Sequence, residues 1–219
     1  MTGDGVAVLY GSAARGDADQ FSDVDVLCVS DADAVVPARF LPDGASLSRY
    51  DWSEWEILAL TGSIFLHHLK SESRVLWAAG NGRERYFASF KSLPEYQHVS
   101  RDFDAFAESI DSIEVGLADP DQTIEFELSA LAMVVRHLSI LICYLTGEVN
   151  FSRLQSLHLA TNATGVASRL ERDFKYLYDF RLFALGRIET SPSIPSPERV
   201  NVWIEESRQL VEAGRRLSV

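Results

Sequence analysis

The hydrophobic periodicity of this chain changes once, near residues 83–100, and the change dictates two kinds of folding unit. Before it, short β-branched runs alternate with turn residues. Gly5 to Tyr10 (GVAVLY) reads as a buried strand closed by Gly11-Ser12, and Ala13 to Gly16 allows one helical turn. Asp23 to Val29 (DVDVLCV) reads as a second strand, and Ala45 to Tyr50 as a third after the Pro42-Asp43-Gly44 turn signal. Ser53-Glu54-Trp55-Glu56 has the form of a capping box and should start a helix. Gly62-Ser63 interrupts it, a second helix runs to about Ser71, and Arg74 to Trp77 supplies a last short strand. After the change, apolar residues recur at three- and four-residue spacing through Phe103, Phe106, Ile110, Ile113 and Leu117, then Ile124 to Leu145, then Leu170 to Leu185. Asp119-Pro120-Asp121, Gly147, Gly165 and the cluster Pro192, Pro195 and Pro197 punctuate these helices, and a last one is expected from about Pro197 to Arg216. The expected fold class is α+β: a small mixed-sheet domain over residues 1–95 and an all-helical bundle over residues 96–219.

Charge narrows the partners. Of 219 residues, 32 are Asp or Glu and 20 are Lys or Arg, a net charge of −12. So acidic a surface repels polyphosphate backbones, and binding of long nucleic acid is not expected. A single nucleotide is a different matter, because a bound divalent cation reverses the local field. Acid concentrates between Asp102 and Glu127, which is either a solvated helix face or a docking face for a basic protein partner. The longest apolar run, Leu138 to Leu145, falls short of the roughly 20 residues a membrane span needs and reads as a buried helix. The opening MTGDGVAVLYGS has neither the basic flank nor the cleavage site of a signal peptide, so the expected address is cytoplasmic. Cys28 and Cys143 sit in apolar runs and are expected as buried free thiols.

The residues that carry chemistry lie between the first two strands. Gly11 lets the backbone approach a phosphate and take a turn barred to residues with a Cβ. Ser12 adds a hydroxyl and an N–H where a helical turn begins. Asp23 and Asp25 lie two apart in extended chain, so both carboxylates share a face. Two hard oxygen ligands so close call for a cation, and Mg²⁺ is the natural one, taking carboxylates together with phosphate oxygens. Gly, Ser, Asp and Asp at this spacing arise by chance about once in several hundred chains of this length.

The segment Leu9 to Val29, LYGSAARGDADQFSDVDVLCV, resembles the motif of the DNA polymerase beta-type nucleotidyltransferase superfamily: G-S, ten residues, then D-x-D. That spacing is the form found in minimal nucleotidyltransferases, including antitoxins that modify a toxin with nucleotides. The resemblance implies an Mg²⁺-dependent enzyme moving a nucleoside monophosphate from a nucleoside triphosphate to a hydroxyl. It makes Gly11, Ser12 and Arg15 nucleotide-binding and Asp23 and Asp25 catalytic metal ligands. Kanamycin-type nucleotidyltransferases share the layout of a sheet domain followed by a bundle.

The chain also departs from the family. Relatives usually carry a third carboxylate on a neighbouring strand, where this sequence reads Ala45-Ser46-Leu47-Ser48-Arg49-Tyr50. Asp51 is the nearest acid and is taken here as the third catalytic carboxylate. His68, Lys70 and Arg74 either face phosphate or decorate an amphipathic helix. Without a third carboxylate, the alternative function is a catalytically degenerate nucleotide-binding protein with a regulatory or scaffolding role. A more distant alternative, a helical RNase, rests on Arg153 and His158 at the spacing such nucleases use.

Overall fold

The computed structural model describes residues 3–119, 121–166 and 169–218, and divides into two compact units, residues 1–97 and 98–219. Pro120, one of the expected helix breakers, lies outside the described residues. The architecture is α+β, with a mixed four-stranded sheet in the first unit and a helical second unit.

The first unit runs β1 (Gly5–Tyr10), α1 (Gly11–Arg15), β2 (Asp25–Ser30), a single 3₁₀ turn at Ala38–Phe40, β3 (Ser46–Tyr50), α2 (Trp52–Leu60), α3 (Ile64–Glu72), β4 (Arg74–Ala79) and α4 (Gly82–Ala88). Strand order is β3-β2-β1-β4; β1 is antiparallel to both neighbours, whereas β2 and β3 are parallel. Strands β1 and β2 are apolar on both faces because both faces are covered. Val6, Val8, Leu27 and Val29 pack on Trp52, Trp55, Leu66, Leu69 and Tyr86 from α2, α3 and α4, and on Phe90 just beyond α4. Ala7, Val26 and Cys28 face the other way, onto Val36 and Leu41 from the segment between β2 and β3.

Three boundaries differ from expectation. Strand β2 begins at Asp25, so Asp23 lies in the loop ahead of it. Helix α2 is capped two residues early. Asp51 accepts from the Glu54 N–H at 2.8 Å, and Glu54 Oε2 accepts from the Asp51 N–H at 2.9 Å. That reciprocal pair outcompetes Ser53, whose hydroxyl instead donates to Asp51 at 2.6 Å. Helix α4 was not expected, because Gly80-Asn81-Gly82 reads as a turn; Gly82 is instead its first residue.

The second unit comprises α5 (Val99–Ala118), α6 (Ile124–Leu145), α7 (Gln155–Thr164), α8 (Arg169–Ala184) and α9 (Pro197–Leu217). Helix α6 packs against all four others. By length and a mean hydropathy of 1.9 it could cross a membrane, but 61% of that window is buried, the burial of a core helix. Ser196 caps α9 and Pro197 fills its first position, as their conformational preferences favour. The acidic residues of α5 are partly neutralised from within the unit. Arg208 bonds Asp111 and Glu114 at 2.7 and 2.6 Å, and Arg215 bonds Asp104 at 2.7 Å. Arg153 lies over the Tyr178 ring at 4.9 Å, while His158 Nδ1 meets Glu171 at 2.7 Å, so the two residues of the nuclease reading are drawn to different partners. Both cysteines are buried and free.

Gly82 abuts the start of β1: a Cβ there would lie 2.1 Å from the Gly5 carbonyl oxygen. Backbone cannot swing aside as a side chain can, so Gly82→Ala should cost about 2–4 kcal/mol. Chemical denaturation of the variant should show a lower midpoint at an unchanged slope.

Candidate active site

Strand β1 delivers the chain to a turn whose shape is set by Gly11. Its φ of +72° lies in the left-handed region. Tyr10, the residue before it, pairs in register with Asp25 at the head of β2. A Cβ on Gly11 would therefore sit 2.7 Å from Asp25 Oδ2. The carboxylate fills the space a side chain would take, which is a second reason for glycine besides the dihedral. Ser12 follows, half-buried in α1, and its carbonyl accepts from the N–H groups of Gly16 and Asp17.

Asp23 is exposed and stands two residues ahead of Asp25. The loop delivering it is ordered by its own polar groups: Asp19 accepts from the Phe21 N–H at 3.0 Å and from the Ser22 hydroxyl at 2.8 Å. An Asx turn of this kind fixes a short loop by local hydrogen bonds.

Arg15 is flanked by carboxylates. Its Nη1 donates to both oxygens of Glu72, at 3.0 and 2.9 Å, and its Nε to both oxygens of Asp17 at 3.2 Å. Glu72, at the C-terminus of α3, also accepts from the Gly11 N–H at 2.9 Å and pairs with Nε2 of His68 one turn earlier. Its side chain is only 8% exposed. Burial pushes its pKa up, but the bonds from His68 and Arg15 outweigh that and hold the carboxyl below its usual range. Tyr10 completes the wall. Its ring stands edge-on to Phe65 and His68, and its hydroxyl lies 3.4 Å from Ser48 Oγ. Burial, and then the charge of Asp25, raise the Tyr10 pKa.

Asp51 requires a correction. Strand β3 runs parallel to β2 with Ser46 opposite Asp25, and Ser48 opposite Leu27. Asp51 follows five residues after Ser46, so strand rise alone carries it about 16 Å from the level of Asp25. It is the N-cap of α2, and bonds from Ser53 and the Glu54 N–H hold its pKa below the usual carboxylate range. The positions on β3 beside Asp25 carry hydroxyls, not carboxylates. Lys70 and Arg74 are exposed, whereas His68 is turned to Glu72.

Glu72 was invisible to motif reading because 46 residues separate it from Asp25. Its signal lay in strand pairing. Leu9 pairs antiparallel with Arg74, and the same register carried two residues on sets Gly11 against Glu72.

Among the described residues no group of three or more His, Cys, Asp or Glu could hold a metal ion by itself. The donor set still suits Mg²⁺, which takes one or two carboxylates and completes its shell with water and phosphate oxygens. Asp23 and Asp25 are hard oxygen donors, and Asp25 lies against the Gly11 turn. The sheet, the glycine turn and the carboxylate at the head of the neighbouring strand together define the candidate site of this α+β unit. Residues 2–68 match the family model of the nucleotidyltransferase domain, consistent with the DNA polymerase beta-type superfamily. No curated protein matches the chain.

Gly11→Ala tests the geometry. The methyl must adopt a left-handed backbone, at about 1–2 kcal/mol, and push the Asp25 carboxylate aside. A lowered melting midpoint together with loss of triphosphate binding in calorimetry is the expected result.

Proposed function

We propose that this protein transfers a nucleoside monophosphate from a nucleoside triphosphate to a hydroxyl acceptor with the help of Mg²⁺. The observation that carries the reading is the approach of Asp25 to the Gly11 turn, which sets a carboxylate beside the segment that carries Ser12. In this reading Asp23 and Asp25 hold the cation, while Ser12 contacts the triphosphate. The acceptor oxygen attacks the α-phosphorus, the α–β anhydride bond breaks, pyrophosphate departs and the hydroxyl proton passes to solvent. The divalent ion, when bound, supplies charge stabilisation for the leaving pyrophosphate.

Electrostatics support cation dependence. Asp25 and Glu72 flank the turn, and Arg15 is already paired with two carboxylates, Glu72 and Asp17. A triphosphate entering this field without a divalent ion meets net repulsion. The acceptor in this reading is a basic protein partner, as in a toxin–antitoxin or phage-defence pair, which suits the net charge of −12. A second reading, nucleotide binding without turnover in a regulatory or scaffolding protein, is favoured by the serines beside Asp25 on β3.

Two outcomes are expected. Mg²⁺ and triphosphate should raise the melting temperature together far more than either alone, by mass action on a shared site. Equal shifts with and without Mg²⁺ would sink the proposal. Asp23→Asn and Asp25→Asn should each lower transfer by several orders of magnitude at an unchanged or slightly raised melting point, because the amide keeps volume but loses the charge that holds the metal. Ser12→Ala should be milder, since the backbone N–H remains. Transfer of label from α-³²P nucleoside triphosphates to protein or RNA acceptors separates the two readings. Transfer by wild type supports the enzyme, and tight binding with no transfer to any acceptor supports the degenerate protein.

A further inference from the structure

Resting on the nucleotidyltransferase reading, we propose that Glu72 is the positioning residue of the site. It fixes the Gly11 turn and Arg15 in place and leaves phosphate to Ser12 rather than to Gly11. Glu72 lies four residues beyond the part of the chain that matches the family model. Three groups of donors converge on its one carboxylate: the Gly11 N–H at 2.9 Å, the Arg15 Nη1 at 2.9 and 3.0 Å, and Nε2 of His68.

The geometry favours a fixed brace over a movable plug. Glu72 is the last residue of α3, and Arg74, two residues on, is already paired with Leu9 in the sheet. The backbone that carries the carboxylate is therefore fixed on both sides. Driving it off its donors in place would strand a charge that is 8% exposed. A triphosphate gains nothing comparable from one extra N–H. The Gly11 N–H is therefore committed to the protein itself, and so is one end of the Arg15 guanidinium. The open groups at the turn are the Ser12 hydroxyl and the N–H groups that follow. Asp25 lies against the space a Gly11 side chain would take, so the turn is held between two carboxylates.

Removing Glu72 should loosen the turn without removing any group that touches nucleotide. The experiment uses the full ¹⁵N-labelled chain with Mg²⁺ and each of the four ribonucleoside triphosphates. Wild type should show a shifted Ser12 amide resonance on ligand addition and a nearly stationary Gly11 amide. Glu72→Gln keeps the shape and one acceptor oxygen but loses the charged pair with Arg15. It should bind Mg²⁺-triphosphate about ten-fold more weakly by calorimetry at a similar melting point, with KM raised more than kcat falls. Glu72→Ala should be weaker still, and adding Arg15→Met to it should cost little more, because the two residues act as a unit.

Binding by Glu72→Gln equal to or tighter than wild type would overturn the inference, since a bystander or a plug that competes with phosphate gives that result. A large ligand shift at the Gly11 amide would overturn it too. If Glu72→Ala does not fold, the glutamine variant decides. Wild type that binds no triphosphate at all brings down the nucleotidyltransferase reading and this inference with it. Wild type that binds while Glu72→Gln is unaffected brings down the inference alone.

Discussion

Everything in the candidate site hangs on a single glycine with a carboxylate on either side. Asp25 occupies the volume beside Gly11 that a side chain would need, and Glu72 holds its N–H. Neither contact is local in sequence. The first depends on β1 and β2 pairing with Tyr10 opposite Asp25; the second depends on β1 and β4 pairing with Leu9 opposite Arg74. The register of the two antiparallel pairs follows from how each face is packed. A one-residue slip would exchange Val6, Val8, Leu27 and Val29, which pack on the aromatic helices, with Ala7, Val26 and Cys28, which face the other cluster. Core packing thus sets the chemistry through strand register.

The carboxylates around the turn outnumber the cations, and burial makes the imbalance matter. An exposed ion pair contributes little, but Glu72 and Arg15 are shielded enough that removing one partner leaves the other costly. The inward charge of Glu72 is satisfied by the Gly11 N–H and Arg15. Asp25, at the head of β2, stands on the other side of the same glycine.

Sequence made β1, the Gly11-Ser12 turn, the spacing to Asp23 and Asp25, and the succession of long helices legible. These features depend on local propensity and periodicity, which act over a few residues. Asp51 was misread because nearness in sequence to the expected strand stood in for register, and a five-residue offset along a strand removes it from the site. Its side chain also had a local competitor for its attention, the first turn of α2. Glu72 was missed for the converse reason: it is brought to Gly11 only by a pairing across more than 60 residues. Helix α4 was lost because Gly82 reads as a breaker, whereas its missing side chain is what permits contact with Gly5.

The order of strands has a consequence for how the protein emerges during synthesis. Strand β1 is central in the sheet, yet β4, which covers one of its edges, ends at Ala79. Until β4 has followed β1 out of the ribosome, β1 presents an apolar edge with unpaired backbone groups, the kind of surface that recruits foreign strands. Glu72 arrives with the same segment. The nascent chain therefore cannot hold the Gly11 turn in its working shape before its sheet is closed, and a shortened product ending ahead of β4 would be both incomplete in its site and prone to aggregate.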